Sequence, residues 1–157
     1  MATALRYELE DARADRTTMT PIRVLLLIDD LGGGGAQDFI YHLCRHSPAD
    51  SIQFSVCAFS AGGIYEERLR ALGIPVHLLS ARSDSVSVSF HGLAAVPSLV
   101  VRLVGLLRRQ RYGIVHTFLQ VSFALGTPVA RLVRIPTVHS VMAFRGQTQG
   151  WYFPLMA

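Results

Sequence analysis

The chain has 157 residues, half of them hydrophobic and 17% charged, enough for one domain with its own core. All 15 basic residues are arginine, and the absence of lysine excludes P-loop, Schiff-base and pyridoxal-phosphate chemistry. Residues 1–84 carry 8 arginines and all 11 acids, net −3, while residues 85–157 carry 7 arginines and no acid, net +7. So basic a second half either meets an anionic partner (phosphate, a phospholipid surface or nucleic acid) or serves solubility alone.

Residues 1–20 are polar and charged, without the apolar stretch of a secretion signal, and are expected to lie outside the fold. A short apolar run at 24–28 predicts a first strand. Asp29, Asp30, Leu31, then Gly32, Gly33, Gly34 and Gly35 follow it, and Ala36, Phe39, Ile40, Leu43 and Cys44 recur at helical spacing behind them. This is a strand, a glycine-rich turn and a helix. Glycines let the backbone approach a ligand and take positive φ, and the helix start offers unpaired N–H groups. The stretch fits a phosphate or other anion site, or equally a turn that binds nothing.

A second strand is expected at 53–59, a turn at Ala61, Gly62 and Gly63, and a short helix with Leu69 and Leu72 facing inward and Gly73 at its end. Residues 74–79 form a third strand, and the serine-rich 80–89 a loop. A helix is predicted over 97–111, with Val100, Leu103, Leu106 and Leu107 on one side. Its surroundings, 93–107, are the most apolar stretch, but Arg102 at the centre argues against a membrane span. A fourth strand at 114–118 precedes a helix carrying Val121, Ala124, Leu125, Val129 and Leu132, bent at Pro128, and a fifth strand spans 136–141. The aromatic end, 144–157, has no assignment. Cys44 and Cys57 read as reduced core residues of an intracellular protein.

Strands alternating with helices, the strands near-continuously apolar, indicate a doubly wound Rossmann-like α/β domain with strand order 3-2-1-4-5. Ligands in such folds sit at the carboxyl ends of the strands, at the switch point between strands 1 and 4. The glycine loop, the exit of strand 4 (Phe118, Leu119, Gln120) and the exit of strand 5 (His139, Ser140) converge on that edge.

A nicotinamide or flavin fingerprint fits poorly, because G-x-G-x-x-G would need glycine at Gln37 or Asp38, and no acid ends strand 2. Glycoside hydrolysis needs two flanking carboxylates, and the second half has none. His42 and His46 lie one helical turn apart without an intervening H-E-x-x-H glutamate, and read as solvent-facing rather than metal-binding. The arginines are not interleaved with a nucleic-acid motif.

The segments IRVLLLIDDLGGGGAQDFIYHL, ERLRALGIPVHLL, LLRRQRYGIVHTF and RIPTVHSV, in this order and spacing, resemble the N-terminal domain of family 4 glycosyltransferases of the GT-B fold. The resemblance covers about residues 22–141. It implies a 21–157 domain that forms the acceptor side of a two-domain cleft, in an enzyme that moves a sugar from a nucleotide-sugar donor to a glycan or lipid-linked acceptor with retention. It implies that Gly32, Gly33, Gly34 and Gly35 approach the donor diphosphate and sugar, and that His139 is the histidine contacting the donor sugar. His116, Phe118, Gln120 and Ser140 fall on the acceptor side or behind it. No cofactor or metal is implied. Gln37 stands where the family often has glutamate, Phe118 replaces the second histidine of VHTH, and Tyr112-Gly113 replaces Pro-Asp.

In the family, the nucleotide-gripping basic pair and an E-x7-E segment belong to a C-terminal domain. With no lysine and no acid after Asp84, this chain does not hold them. It is therefore expected to be inactive alone, as part of a longer product or with a separate partner. The expected location is cytoplasmic, extending to the inner membrane face if Arg102, Arg108, Arg109 and Arg111 meet anionic headgroups. The competing readings are a non-catalytic Rossmann-like module for phosphate, sugar or protein, and a cofactor domain of another enzyme class.

Overall fold

A computed structural model of the chain describes residues 20–80 and 96–142. The expectations for 1–19, for the serine-rich segment from residue 81 onward and for 144–157 fall outside these residues. Five parallel strands, β1 (Ile22–Ile28), β2 (Ile52–Ala58), β3 (Val76–Leu78), β4 (Ile114–Phe118) and β5 (Thr137–Ser140), form one sheet in the order β3-β2-β1-β4-β5. The order is the one expected from the sequence. Helices α1 (Gly35–His46), α2 (Ile64–Ala71), α3 (Val96–Gln110) and α4 (Thr127–Leu132) join them, with a π-helical turn at Ser122–Gly126 leading into α4.

β1 is central, and alternate residues feed two cores, as strand geometry requires. Val24, Leu26 and Ile28 pack with Ala36 and Ile40 of α1 and Tyr65 and Leu69 of α2. Leu25 and Leu27 pack on the other face with Leu99, Leu103 and Leu107 of α3 and with Val129 and Ala130 of α4. Burial on both faces explains the unbroken apolar runs. Cys44 and Cys57 are buried free thiols, and burial pushes that of Cys44 up to about 12.

Several inward assignments shift by one helical position. Leu72 lies just past the end of α2 and is 38% exposed, leaving Leu69 as that helix's buried leucine. The α3 stripe is Leu99, Leu103 and Leu107, with Val100 and Leu106 only partly buried. Leu132 is 68% exposed at the end of α4. The expected bend near Pro128 is a change of coil. The π-helical turn ends at Gly126, and Pro128 sits in the first turn of α4, where its missing N–H is tolerated.

Gly126 shows how closely that segment meets the sheet. A Cβ there would come within 2.3 Å of Leu27 Cδ2 and 3.2 Å of Thr117 Cγ2. Gly126→Ala is therefore expected to overpack this contact and cost about 1–3 kcal/mol. Urea denaturation checks it, and an unchanged midpoint would contradict this packing.

Candidate functional site

At the carboxyl edge of the sheet, β1 ends in two adjacent carboxylates with different partners. Asp29 reaches toward β4. Its carboxylate accepts the Val121 N–H at 3.2 Å, the Ser122 N–H at 2.7 Å and the Ser122 hydroxyl. Its own carbonyl accepts the Ser60 N–H and hydroxyl, both at 3.3 Å. Burial raises its carboxyl above the usual range; the bonds from Ser122 and Val121 oppose this, and the neighbouring Asp30 adds to it.

Asp30 folds the glycine loop back on itself. Its Oδ1 accepts the Gly32 N–H at 2.8 Å and the Gln37 amide N–H at 3.1 Å. Leu31, fully buried, plugs the loop into the core, and its carbonyl accepts the Tyr65 N–H at 3.2 Å. Gly63 crosses that carbonyl at φ 119°, and a Cβ there would lie 2.0 Å from Leu31 O, so only glycine fits. The turn at Gly62 and Gly63 thus supports the candidate site from behind.

None of the four loop glycines lies in the left-handed region, Gly34 being extended at φ 176°; among the described glycines only Gly62, Gly63 and Gly73 do. Of the two freedoms that glycine offers here, close approach and left-handed backbone, the loop does not use the second. A side chain at Gly32 would meet Asp30 Oδ1 at 2.9 Å, and one at Gly34 would meet Gln37 Oε1 at 2.7 Å. Gly33 and Gly35 are exposed and face open space. Gly34 between them is the N-cap residue of α1, which starts with no side-chain cap. Its first N–H groups, which have no partner within the helix, therefore stand at an open arc of backbone.

The remaining predicted residues divide between the two faces of the sheet. Thr117 pairs in register with His139, and Phe118 with Ser140. On the α1 face, His116 Nε2 lies 2.8 Å from Ser140 Oγ, and its ring stacks on Phe118 at 4.2 Å. Phe118 is fully buried and meets Phe39 at 6.0 Å. On the opposite face, His139 Nδ1 lies 3.1 Å from the Thr117 carbonyl and 2.9 Å from its hydroxyl. The Thr117 hydroxyl donates to the Val138 carbonyl at 3.4 Å, and the Thr117 carbonyl only accepts, an arrangement that assigns the proton to Nδ1 and the lone pair to Nε2. The Phe123 ring packs on this imidazole at 4.4 Å. Burial lowers both histidines below the usual range; His139 further lowers His116, while the Thr117 carbonyl and Asp29 partly offset the effect on His139. Gln120 is exposed, next to Leu119, which takes φ 67°.

The glycine loop, His139 and Gln120 therefore share one sheet edge, but His116, Phe118 and Ser140 lie across the sheet from His139. Sequence reasoning missed Asp29, Asp30, Thr117, Ser122 and Gly63. The paired aspartates directly after an apolar strand, and a serine opening a helix, were the available signals. His42 and His46 are exposed on α1, with rings stacked 5.9 Å apart. Arg102 donates to the Leu79 carbonyl at 2.7 Å, so it braces the end of β3. Arg108 and Arg109 sit in the last turn of α3 and Arg111 just beyond, at the sheet edge away from the glycine loop. Among the described residues no helix is long and apolar enough to cross a membrane.

The sequence matches the glycosyl transferase 4-like domain over residues 34–157. No curated protein matches it. Among solved structures, MurG from Acinetobacter baumannii superposes with a TM-score of 0.57 at 18% identity, over 79% of this chain and 37% of MurG. A glycosyltransferase from Rickettsia africae gives 0.57 at 12% identity, over 88% of this chain and 35% of the other. UDP-GlcNAc 2-epimerase from Neisseria meningitidis, bound to UDP-GlcNAc, gives 0.53 at 16%, over 85% and 35%. At these identities the likeness is one of fold, and the chain spans little more than a third of each of these proteins.

The fit between Asp30 and Gln37 explains why an amide stands at position 37. A glutamate there would set a carboxylate against Asp30 Oδ1 in a site where Gln37 is buried. Gln37→Glu is expected to cost about 1–3 kcal/mol at neutral pH and less on acidification. Denaturation at both pH values checks this, and equal stability at neutral pH would contradict it.

Proposed function

The chain belongs to the glycosyl transferase 4-like family, and from that membership we propose that residues 21–157 form the acceptor-side half of a retaining GT-B glycosyltransferase. The donor is a nucleotide sugar and the acceptor a glycan or lipid-linked glycan. The observation that carries this reading is the contrast between two helix starts at one crevice. The one after β4 is closed by the Asp29 carboxylate, and the one after β1 is uncapped behind exposed Gly33 and Gly35.

In this reading the donor diphosphate lies against the arc at residues 33–36. N–H groups there and the positive end of α1 stabilise charge that grows on the leaving phosphate as the glycosidic bond breaks. The loop is already held by Asp30, Gln37 and Leu31, so little reorganisation accompanies the reaction. The neutral His139 offers Nε2 as an acceptor for a hydroxyl of the transferred sugar. In the same reading His116 and Ser140, bonded to each other at 2.8 Å on the α1 face, serve the acceptor side.

The grip on the nucleotide comes from a second domain that this sequence does not contain, with neither lysine nor any acid after Asp84. The 157 residues alone are proposed to turn over no nucleotide sugar. Of the four arginines proposed to meet an anionic surface, Arg102 is held by the Leu79 carbonyl, which leaves Arg108, Arg109 and Arg111.

Gly33→Asp separates binding from folding. The position is exposed, with open space where the side chain begins, and an acid before a helix favours the helix itself. The variant is expected to keep wild-type stability but bind nucleoside-diphosphate sugars about tenfold more weakly, or ~1.4 kcal/mol. Titration calorimetry over UDP-, GDP- and ADP-sugars checks it. Equal affinity in the two proteins, or sugar release by the wild-type chain alone, would contradict the proposal.

A further inference from the structure

The turn after β4 is built from costly parts. Leu119 takes φ 67°, a left-handed conformation that disfavours a side chain by roughly 1–2 kcal/mol. The chain then winds as a π-helical turn before α4, a wide coil that needs support from outside. The two N–H groups at its start are taken by one carboxylate from another strand, Asp29 Oδ2 on Val121 and Oδ1 on Ser122. Plain capping needs a single short polar side chain within the turn. Here a partly buried carboxylate spans two elements and is fixed from behind by Ser60 on its own carbonyl.

The contacts close into a ring. Ser122 is followed by Phe123, whose ring packs on His139. His139 donates to Thr117, and Thr117 lies under Gly126, the last residue of the same π-helical turn. We infer that Asp29 is a positioning residue: it holds the strained turn so that Phe123 stays against His139 and the imidazole keeps its Nε2 lone pair open at the crevice. The inference rests on the proposed role of His139, but its geometry is present without ligand.

The test is NMR of the imidazole nitrogens and the Phe123–His139 proton contacts in the full chain, without ligand. In Asp29→Asn, His139 should lose its single Nδ1–H tautomer signature, and its contacts with Phe123 should weaken. His116, across the sheet and bonded to Ser140 rather than to Thr117, feels His139 only through its charge and should keep its own tautomer pattern, moving far less than His139. Ser122→Ala leaves the carboxylate and both backbone bonds in place and should move His139 the same way to a smaller extent. It decides the matter if Asp29→Asn does not fold. A folded Asp29→Asn with an unchanged His139, His116 and His139 moving alike, or, failing that variant, an unchanged His139 in Ser122→Ala, would each overturn the inference. Because no ligand is present, failure here is distinct from failure of nucleotide-sugar binding.

Discussion

Two adjacent carboxylates at the end of the central strand organise the carboxyl edge of this sheet. Every parallel α/β domain leaves helix N–H groups unpaired there, and something must satisfy them. Asp29 satisfies one set and so removes the helix after β4 as an anion site. Asp30 turns inward to Gly32 and Gln37, stiffening the loop without closing the helix behind it. Which helix start is open follows from which carboxylate points where.

The rest of the edge builds on that choice. Leu31 anchors the loop because Gly63 lets the neighbouring turn lie on its carbonyl. Gln37 is matched to Asp30 as donor to acceptor, which makes the pair a unit. A glutamate in place of Gln37 would set two carboxylates against each other at this point. On β4 and β5, the period of two sends His116 and His139 to opposite faces, although both belong to the same stretch of sheet. One stacks with Phe118 beneath α1, and the other sits under Phe123.

The sheet order and all five strands were legible in the sequence, because apolar runs in a doubly covered parallel sheet leave little ambiguity. The helical faces were less so. Leu72 and Leu132 look inward by spacing, but α2 and α4 stop at or before them. The glycine-rich loop does not use the left-handed freedom that its glycines offer. Gly32 and Gly34 exclude side chains that would strike Asp30 and Gln37, and the positive φ falls at Gly62 and Gly63 instead. Asp29 was in plain view yet unassigned, since its partners, Val121 and Ser122, lie more than ninety positions away in the chain. Contacts across a crevice leave no local periodicity for a sequence reading to find.

In the proposed function the anion of the donor meets α1 and not the helix after β4. Amide chemical shifts during titration with a nucleoside-diphosphate sugar, and with inorganic pyrophosphate, test it most directly. Saturable shifts are expected at the amides of residues 33–37, with those of Val121 and Ser122 unmoved. Shifts centred on Val121 and Ser122, or none at residues 33–37 at saturating ligand, would contradict it.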